Sequence, residues 1–326
     1  MKPSQAKIAI KTAIKAKRPI FIWGPPGVGK SQVVKQISEE NGTELIDTRA
    51  ILLDPVDLRG LPCIENKKAV WCSPGFFPSK GKGIWFIDEL NAAPPLVQAA
   101  FYQLILDRKL GEYSLPDNWA IVAAGNRETD RAVTSRMPSA LANRFVHIQF
   151  DVDLEDWVAW ALNHGITQEV ISFLRFRPGL LFSFDAQKNE KSFPTPRSWE
   201  FVSDLLKTIE DKSIEYELIS GTVGEGPSSE FAGFLKIHRN LPDIDKLLEH
   251  PNTARMPSDP AILYAVSGAL VGKTTVKTIP AIIEYANRMP AEFSVLTIRD
   301  AEIKCHEITE TKAFQGWVLK HKDIIF

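Results

Sequence analysis

A glycine-rich segment near the start of the chain has the residue types and spacing of a phosphate-binding loop. Residues 24–31 read Gly-Pro-Pro-Gly-Val-Gly-Lys-Ser, the pattern GxxxxGK followed by Ser or Thr. In such a loop backbone N–H groups surround phosphate oxygens, and the following helix adds the positive end of its dipole. Lys30 then reaches the β- and γ-phosphates, and the Ser31 hydroxyl binds Mg²⁺. The predicted nucleotide-binding residues are Gly24, Pro25, Pro26, Gly27, Val28, Gly29, Lys30 and Ser31.

Two adjacent carboxylates follow an apolar run later in the chain. Residues 83–87 read Gly-Ile-Trp-Phe-Ile and lead directly into Asp88 and Glu89. We predict that Asp88 holds Mg²⁺ and that Glu89 orients and deprotonates an attacking water. Taken alone, the pair also fits a strand end with two solvated acids. Its position 58 residues after Lys30, within one α/β pattern, favours the catalytic interpretation.

The elements around these residues alternate between strand and helix. Apolar runs predict five strands, at 19–23, 43–47, 83–87, 119–124 and 145–150, and helical spacing marks 31–40 and 93–110. This alternation is typical of a parallel sheet with helices on both faces. The runs are nearly continuous, as expected of strands that are buried on both faces.

After residue 150 the pattern becomes helical. Helices are predicted at 153–163, 168–175, 196–209, 230–237, 261–270, 279–288 and 300–311, with polar separators at 185–192 and 221–229. Residues 268–274 resemble a second phosphate loop but are one residue short and follow a helical segment, so we interpret them as a helix end. We expect three parts: an αβα nucleotide-binding core at 1–150, a helical lid at 151–237 and a helical extension at 238–326.

The composition is that of a globular protein. Among 326 residues there are 39 bases and 40 acids, so the net charge of −1 gives no support to a protein that coats DNA. The three cysteines, Cys63, Cys72 and Cys305, form no CxxC pair, and we expect buried thiols in a reducing compartment. No apolar run reaches 18 residues and no signal peptide is evident, so we expect a cytoplasmic protein without a membrane span.

The first 18 residues contain six bases and no acid. Lys7, Lys11 and Lys15 recur every four residues, which predicts an amphipathic helix with one cationic stripe. The stripe fits either a solvated face, which we favour, or a surface for an anionic partner.

Taken together, the motifs resemble those of AAA+ ATPases, and within that superfamily those of the MoxR group. The resemblance covers residues 19 to about 237, and the segment 87–98 is the most specific to the group. Besides residues 24–31 it rests on Leu-Leu-Asp-Pro-Val-Asp-Leu-Arg-Gly-Leu-Pro (52–62), Ile-Asp-Glu-Leu-Asn-Ala-Ala-Pro-Pro-Leu-Val-Gln (87–98), Ala-Ala-Gly-Asn (123–126), Leu-Ala-Asn-Arg-Phe (141–145) and Pro-Thr-Pro-Arg (194–197). Ala92 departs from it, since many relatives have arginine there. The resemblance implies a five-stranded parallel sheet of order 5-1-4-3-2.

The resemblance also assigns roles to three further residues. Asn126 matches the polar sensor-1 residue, which senses the γ-phosphate and holds the water, although an Asn after Gly also fits an ordinary turn. Arg144 matches the arginine finger that reaches the nucleotide of a neighbouring subunit, with Arg136 as a rival. Arg197 matches sensor 2.

Arg197 has a supporting argument from the residues themselves. Thr195 is a good N-cap and Pro196 a good first helical residue, which places Arg197 in the first turn of a helix. The helix dipole disfavours a cation there, so an anion such as the γ-phosphate would explain it. A plain exposed arginine is the alternative.

Two insertions also resemble the MoxR group: residues 60–77, predicted as a hairpin, and residues 110–116, predicted as a hairpin before sensor 1. In relatives such hairpins engage the substrate. Trp71, Phe76, Phe77 and Tyr113 are therefore candidates for substrate contact, with aromatic packing beneath the loops as the alternative.

The resemblance implies an ATPase that uses ATP and Mg²⁺, assembles into a homo-oligomeric ring, a hexamer, and remodels a client protein. A partner containing a von Willebrand factor A domain is a family expectation. One alternative is a nucleic-acid-directed or GTP-using motor related to restriction-complex NTPases, which we do not favour. Another is a nucleotide-gated scaffold with slow turnover. The six histidines show no HExxH spacing, so zinc is not indicated.

Overall fold

The computed structural model describes residues 1–130, 137–185, 187–188 and 190–325. The chain divides into two compact units. The first comprises Met1–Val152 with Asp185–Lys188, and the second comprises Asp153–Phe184 with Asn189–Phe326. In the part of the chain that is described, no helix is both long and apolar enough to cross a membrane.

The first unit contains strands and helices in alternation. In chain order they are α1 (Pro3–Lys15), β1 (Ile20–Trp23), α2 (Lys30–Asn41), β2 (Glu44–Arg49), α3 (Pro55–Arg59), β3 (Leu61–Glu65), β4 (Lys68–Cys72), β5 (Gly83–Asp88), α4 (Pro95–Asp107), β6 (Lys109–Leu110), β7 (Tyr113–Ser114), β8 (Trp119–Gly125), α5 (Ser139–Ala142) and β9 (Val146–Gln149). Short 3₁₀ turns lie at Ala50–Leu52, Leu90–Ala92 and Glu128–Asp130.

A five-stranded parallel sheet forms the centre of this unit. Its order is β2-β5-β8-β1-β9. Numbered by their succession in the chain, these strands give 5-1-4-3-2, so the predicted fold class and strand order are confirmed. The central strands are buried on both faces, with Phe21, Trp85 and Phe86 inaccessible to solvent. All five carboxyl ends therefore share one edge of the sheet, where the site residues follow the strands.

Two antiparallel hairpins project from the core where the sequence predicted insertions. In the first, β3 pairs with β4 across a turn at Asn66 and Lys67, which have φ of 50° and 62°. Such left-handed pairs match the twist of the flanking strands. In the second, β6 pairs with β7. The helix predicted at 93–110 ends earlier, at Asp107, because Arg108 adopts a left-handed conformation with φ 56° and turns the chain into β6.

The prediction of buried free thiols is wrong. Cys63 and Cys72 form a disulfide between β3 and β4, with their Cα atoms 6.3 Å apart. Cys63 is partly exposed and Cys72 is exposed, while Cys305 is a partly buried free thiol. A hairpin was predicted here, but the pairing was missed because it depends on the strand register, which sets Cys63 opposite Val70 and Cys72 opposite Leu61. A cytoplasmic location therefore stays a prediction without support from the cysteines.

The second unit is helical in its described residues. Its helices are α6 (Leu154–Asn163), α7 (Gln168–Phe176), α8 (Pro196–Thr208), α9 (Glu215–Val223), α10 (Glu225–Arg239), α11 (Ile244–Glu249), α12 (Pro260–Gly272), α13 (Ile279–Ala286), α14 (Ala291–Lys304) and α15 (Lys312–Ile325), with 3₁₀ turns at Pro178–Leu180, Lys212–Ile214 and His306–Glu310. Residues 268–272 are indeed a helix end, as predicted.

One polar stretch of this unit differs from the prediction. Residues 221–229 are the end of α9 and the start of α10 instead of a separator. Gly224, with φ 89°, makes the break between the two helices, and Ser228 is buried and donates its hydroxyl to the carbonyl of Glu225. Small polar residues here cap and pack helices. From composition alone such residues predict a loop.

A buried ion pair connects helices on either side of residue 237. The guanidinium of Arg175 on α7 donates to both carboxylate oxygens of Asp300 on α14, at 2.8 and 2.6 Å. Both side chains are almost inaccessible to solvent. The predicted lid and the predicted extension thus share one compact unit.

Candidate functional site

The P-loop lies between β1 and α2, at the carboxyl edge of the sheet. Gly27 and Gly29 have φ of 75° and 99°, which side chains rarely adopt, and Gly29 directly precedes α2. A Cβ at Gly24 would lie 2.9 Å from the carbonyl oxygen of Phe150. The loop is therefore also packed closely against the residue that follows β9. These positions accept only glycine without rearrangement, as the phosphate-loop pattern requires.

Lys30 is held inside this loop. Its side chain is 9% exposed, and its ammonium donates to the carbonyls of Gly24 and Pro25 at 2.6 and 2.9 Å. A third bond, at 3.1 Å, goes to the amide oxygen of Asn126, directly after β8. The structure therefore brings the predicted sensor-1 residue to the predicted phosphate-binding lysine.

The two predicted Mg²⁺ ligands adjoin one another. The hydroxyl of Ser31, in the first turn of α2, donates to a carboxylate oxygen of Asp88 at 3.1 Å. A hydroxyl beside a carboxylate is a donor set that Mg²⁺ accepts, since this ion takes oxygen ligands and binds through few carboxylates. The other oxygen of Asp88 accepts the backbone N–H of Glu89 at 2.9 Å, which fixes the carboxylate.

Glu89 adopts an unusual backbone conformation. Its φ of 55° and ψ of 32° are left-handed, and the residue joins β5 to the 3₁₀ turn at Leu90–Ala92. For a residue with a Cβ this conformation costs about 1 kcal/mol or more, and such residues cluster at functional sites. The conformation turns the chain sharply at the strand end and leaves the Glu89 side chain partly exposed next to Asp88.

Asn91 supports the position of Asn126 in the site. No sequence prediction assigned it a role. Asn91 is 1% exposed, and its amide donates to the backbone carbonyl of Asn126 at 2.8 Å. Its amide oxygen lies 2.0 Å from where a Cβ of Gly125 would be, so residue 125 must be glycine. Asn91 falls within the resemblance segment 87–98, which was the one signal that pointed to it.

Asp47 is a further acid near the metal ligands. Partial desolvation raises the pKa of the Asp47 carboxyl on β2, and the negative charge of Asp88 raises it further. No motif marks this residue, because its proximity to Asp88 depends on the pairing of β2 with β5.

Arg144 lies away from the P-loop. It is exposed in the turn between α5 and β9, and its backbone N–H donates to Leu141. Arg144 precedes β9, which runs parallel to β1 with Gln149 opposite Trp23. The first residue of β9, Val146, is already about 10 Å before that strand end, at about 3.3 Å per residue. The structure therefore does not bring Arg144 to its own chain's P-loop. The rival, Arg136, lies outside the described residues.

Arg197 occupies the predicted helical position, in the second unit. Thr195 caps α8 by accepting the backbone N–H of Ser198 at 3.0 Å, and Pro196 is the first helical residue. Arg197 follows in the first turn and is exposed.

The hairpin aromatics divide into two groups. Phe77 is 6% exposed and packs on Trp85 and Tyr113, with ring centroids 5.0 and 4.7 Å away. The hydroxyl of Tyr113 donates to the carbonyl of Pro78, and burial raises the pKa of Tyr113 to about 12. Phe77 is therefore a packing residue. The contacts of Tyr113 support the packing alternative, and substrate contact by this partly exposed residue stays a prediction.

The exposed apolar surface lies on the first hairpin and beside it. Trp71 and Phe76 keep substantial exposure, as the sequence prediction of contact residues requires. Leu61 and Ile64 on β3 are more exposed still, with Ile64 at 86%, and were not predicted. Exposed apolar side chains grouped in this way are typical of an interaction site.

The cationic stripe of α1 is partly neutralised. Lys7 and Lys11 both form ion pairs with Glu40 on α2, the second at 2.6 Å. These hydrogen bonds from Lys11 and Lys7 lower the pKa of the Glu40 carboxyl. Lys7 and Lys11 therefore pair with a neighbouring helix, which neither predicted interpretation, a solvated face or a surface for an anionic partner, included.

The fold and the loop define a P-loop nucleotide-binding domain. Residues 19–145 match the family model of the AAA domain, dynein-related subfamily. This part of the chain is thus similar to AAA domains, the nucleotide-binding domains of a large class of ATPases.

Two curated relatives match in the same class. Midasin from Giardia intestinalis is 28% identical over 167 residues, which cover 48% of this chain and 4% of midasin. ATPase family gene 2 protein homolog B from Homo sapiens is 35% identical over 78 residues, which cover 24% of this chain and 10% of that protein. The chain thus spans only a small part of the length of these relatives.

Solved structures show weaker likeness. A mutant of RuvB from Thermotoga maritima aligns with 82% of this chain and 80% of its own, at 17% identity and a TM-score of 0.39. NtrX from Brucella abortus aligns with 92% of this chain and 67% of its own, at 14% identity and a TM-score of 0.42.

Proposed function

We propose that this protein is an ATP-hydrolysing AAA+ protein of the MoxR type that assembles into a ring, a hexamer, and remodels a partner protein. The observation that carries the proposal is the connected set of hydrogen bonds at the carboxyl edge of the sheet. It links Lys30 to Asn126 and Ser31 to Asp88, and it places Glu89 directly after Asp88. This arrangement contains the parts that phosphoryl transfer to water needs.

Each residue has a separate task in the proposed reaction. Lys30 shifts its hydrogen bonds from the loop carbonyls to the β- and γ-phosphates of ATP. Ser31 and Asp88 would hold Mg²⁺, which would neutralise negative charge on the phosphates of ATP when bound. Glu89 accepts a proton from the attacking water, and the Asn126 side chain orients that water beside the γ-phosphate. Arg197 contacts the γ-phosphate as sensor 2.

The place of Arg144 supports the proposal of a ring. An arginine finger must reach the transferring phosphoryl group, and Arg144 lies toward the opposite edge of the sheet from its own P-loop. An exposed arginine in that position serves a neighbouring subunit instead. Head-to-tail contacts of this kind form a ring when the rotation between successive subunits closes.

The client is proposed to be a protein. The first hairpin exposes the apolar side chains of Leu61, Ile64 and Trp71, and Phe76 beside the hairpin is exposed as well. Such a surface suits a protein partner better than a nucleic acid, whose recognition depends on cations. A protein with a von Willebrand factor A domain is the partner class we expect.

Steady-state ATP hydrolysis by three purified variants tests the proposal. Glu89→Gln should lower kcat by about 10²–10⁴-fold, since it removes a general base. Arg144→Ala should lower it by about 10³-fold or more. Glu65→Gln makes the same chemical change on the exposed hairpin strand and should leave kcat unchanged. Hydrolysis unaffected by both site variants would overturn the assignment.

A further inference from the structure

A cavity of about 390 Å³ lies in the first unit, at the opposite edge of the sheet from the P-loop. It is formed around the amino ends of β1, β5 and β8 and the end of α1. Five cationic side chains line it: Lys15, Lys17, Arg18, Lys82 and Arg108. Asp117 is the one acidic residue among its lining residues.

The positive charge of this cavity is not neutralised by neighbours. Within the described residues, none of the five cations forms an ion pair, whereas Lys7 and Lys11, earlier on the same helix, both pair with Glu40. Two helices, α1 and α4, end at the cavity, and each contributes about −0.5 of a charge from its dipole. Together with Asp117 this leaves a net charge of about +3.

Arg108 is held rigidly in the cavity wall. One terminal nitrogen of its guanidinium donates to the carbonyls of Pro116 and Trp119, both at 2.7 Å. Its Nε is buried and has no hydrogen-bond partner among the described residues.

The backbone of the cavity wall is strained. Lys17 and Arg108 both have left-handed conformations, with φ of 55° and 56°. Among the described non-glycine residues three others have positive φ: two form the tight turn of the first hairpin, and the third is Glu89 in the nucleotide site. Apart from that turn, left-handed residues therefore coincide with the nucleotide site and with this cavity.

We propose that this cavity binds a small phosphorylated molecule with at least two phosphate groups. Its volume falls within the range of small-molecule sites, about 300–1,000 Å³. The five cations would hold the phosphates. The apolar side chains of Ile14, Ile84 and Ile121 line the rest of the cavity and suit an organic portion of the ligand. A concave site of this size favours a small ligand over nucleic acid, which needs an extended basic track.

Calorimetric titration with inorganic pyrophosphate tests the proposal. The full chain carries Lys30→Ala, so that the P-loop contributes as little as possible. Two variants are made in this background. The test variant carries Lys17→Asn and Arg18→Gln, and the matched control carries Lys7→Gln and Lys11→Gln. Both pairs remove two positive charges from the same part of the chain, and Asn tolerates the left-handed conformation at position 17. Thermal unfolding confirms that each variant is folded.

We expect the Lys30→Ala protein to bind pyrophosphate saturably. Affinity should fall at least tenfold in the Lys17/Arg18 variant and stay within about twofold in the control, because only the first pair lines the cavity. Equal losses in both variants, or no binding by the Lys30→Ala protein, would overturn it. So would binding of a single-stranded oligonucleotide that pyrophosphate does not displace and that weakens steeply with salt, since the surface would then recognise nucleic acid.

Discussion

The ammonium of Lys30 and the amide oxygen of Asn126 lie 3.1 Å apart, although 96 residues separate them in the chain. The contact exists because β1 and β8 are neighbours in the sheet and end at the same edge. In the proposed reaction it links the residue that binds the β- and γ-phosphates to the residue that orients the water. Asn126 is in turn held through its backbone carbonyl by Asn91.

Replacing Asn126 should therefore impair turnover more than binding. In Asn126→Ala we expect kcat for ATP hydrolysis to fall by about 10²-fold while KM changes by less than about threefold, since Lys30 keeps its carbonyl partners. Steady-state kinetics with a phosphate-release assay measure both. Asn163→Ala, at an exposed position on α6, is the matched control. A loss that appears in KM alone would show that Asn126 only binds nucleotide.

Ser31 and Asp88 should matter for Mg²⁺ in particular. We expect wild-type protein to bind ATP at least tenfold more tightly with Mg²⁺ than with a chelator, because the metal joins the phosphates to both residues. Asp88→Asn should reduce this difference to less than about threefold. Titration of a fluorescent ATP analogue with and without Mg²⁺ measures it. Asp54→Asn, at the N-cap of α3, is the control, and an undiminished Mg²⁺ effect in Asp88→Asn would contradict the assignment.

The buried pair of Arg175 and Asp300 should contribute strongly to the stability of the second unit. Asp300→Ala leaves the Arg175 guanidinium buried with only Glu155 as a remaining acidic partner, so the free energy of unfolding should fall by about 3–5 kcal/mol. Asp204→Ala removes an exposed ion pair on α8 and should change it by less than about 1 kcal/mol. Urea unfolding followed by circular dichroism compares the two. Similar losses would show that burial of the pair contributes nothing.

The pairing of α1 with α2 should be sensitive to acid. Lys11 and Lys7 lower the pKa of Glu40, so this carboxylate stabilises the folded protein above its ordinary value of 4.5 and ceases to do so as pH falls through the lowered value. The two lysines and Glu40 are partly exposed, so we expect Glu40→Gln to cost only about 0.5 kcal/mol at pH 7.

Unfolding free energies of wild type and Glu40→Gln, measured across pH, test this sign. Their difference should shrink toward zero as pH falls through the lowered pKa of Glu40, because the carboxyl then becomes protonated in the wild type too. Glu39→Gln, at the adjacent and more exposed position, is the control. A difference that grows as pH falls would contradict the argument.

Local patterns were sufficient to predict most of the fold. The P-loop, the apolar strands and the capping of α8 by Thr195 depend on residues close together in the chain, and the resemblance supplied the strand order. The hairpins were also predicted as insertions. The end of α4 at Arg108 was not predicted, because an arginine does not signal the left-handed conformation that ends this helix.

Contacts between distant residues account for what was missed. The support of Asn126 by Asn91 and the influence of Asp88 on Asp47 depend on which strands are neighbours. The Cys63–Cys72 disulfide depends on a turn that folds two strands together. The cationic cavity brings together charged residues at the ends of α1 and α4 and just before β5. In the sequence these charges look like ordinary surface charges.

Mixing two inactive variants tests the central claim, that Arg144 completes the site of a neighbouring subunit, most directly. Glu89→Gln subunits retain Arg144, and Arg144→Ala subunits retain Glu89. After random assembly about a quarter of the interfaces combine both intact residues.

The measurement is the ATP hydrolysis rate of the mixture after subunit exchange, compared with each variant alone. We predict that the mixture regains activity well above the sum of the two variants. A mixture of Glu89→Gln with the double variant Glu89→Gln/Arg144→Ala should regain none. If the first mixture stays as inactive as its components while mixed assemblies form, Arg144 does not act on a neighbour and the account of the site is contradicted.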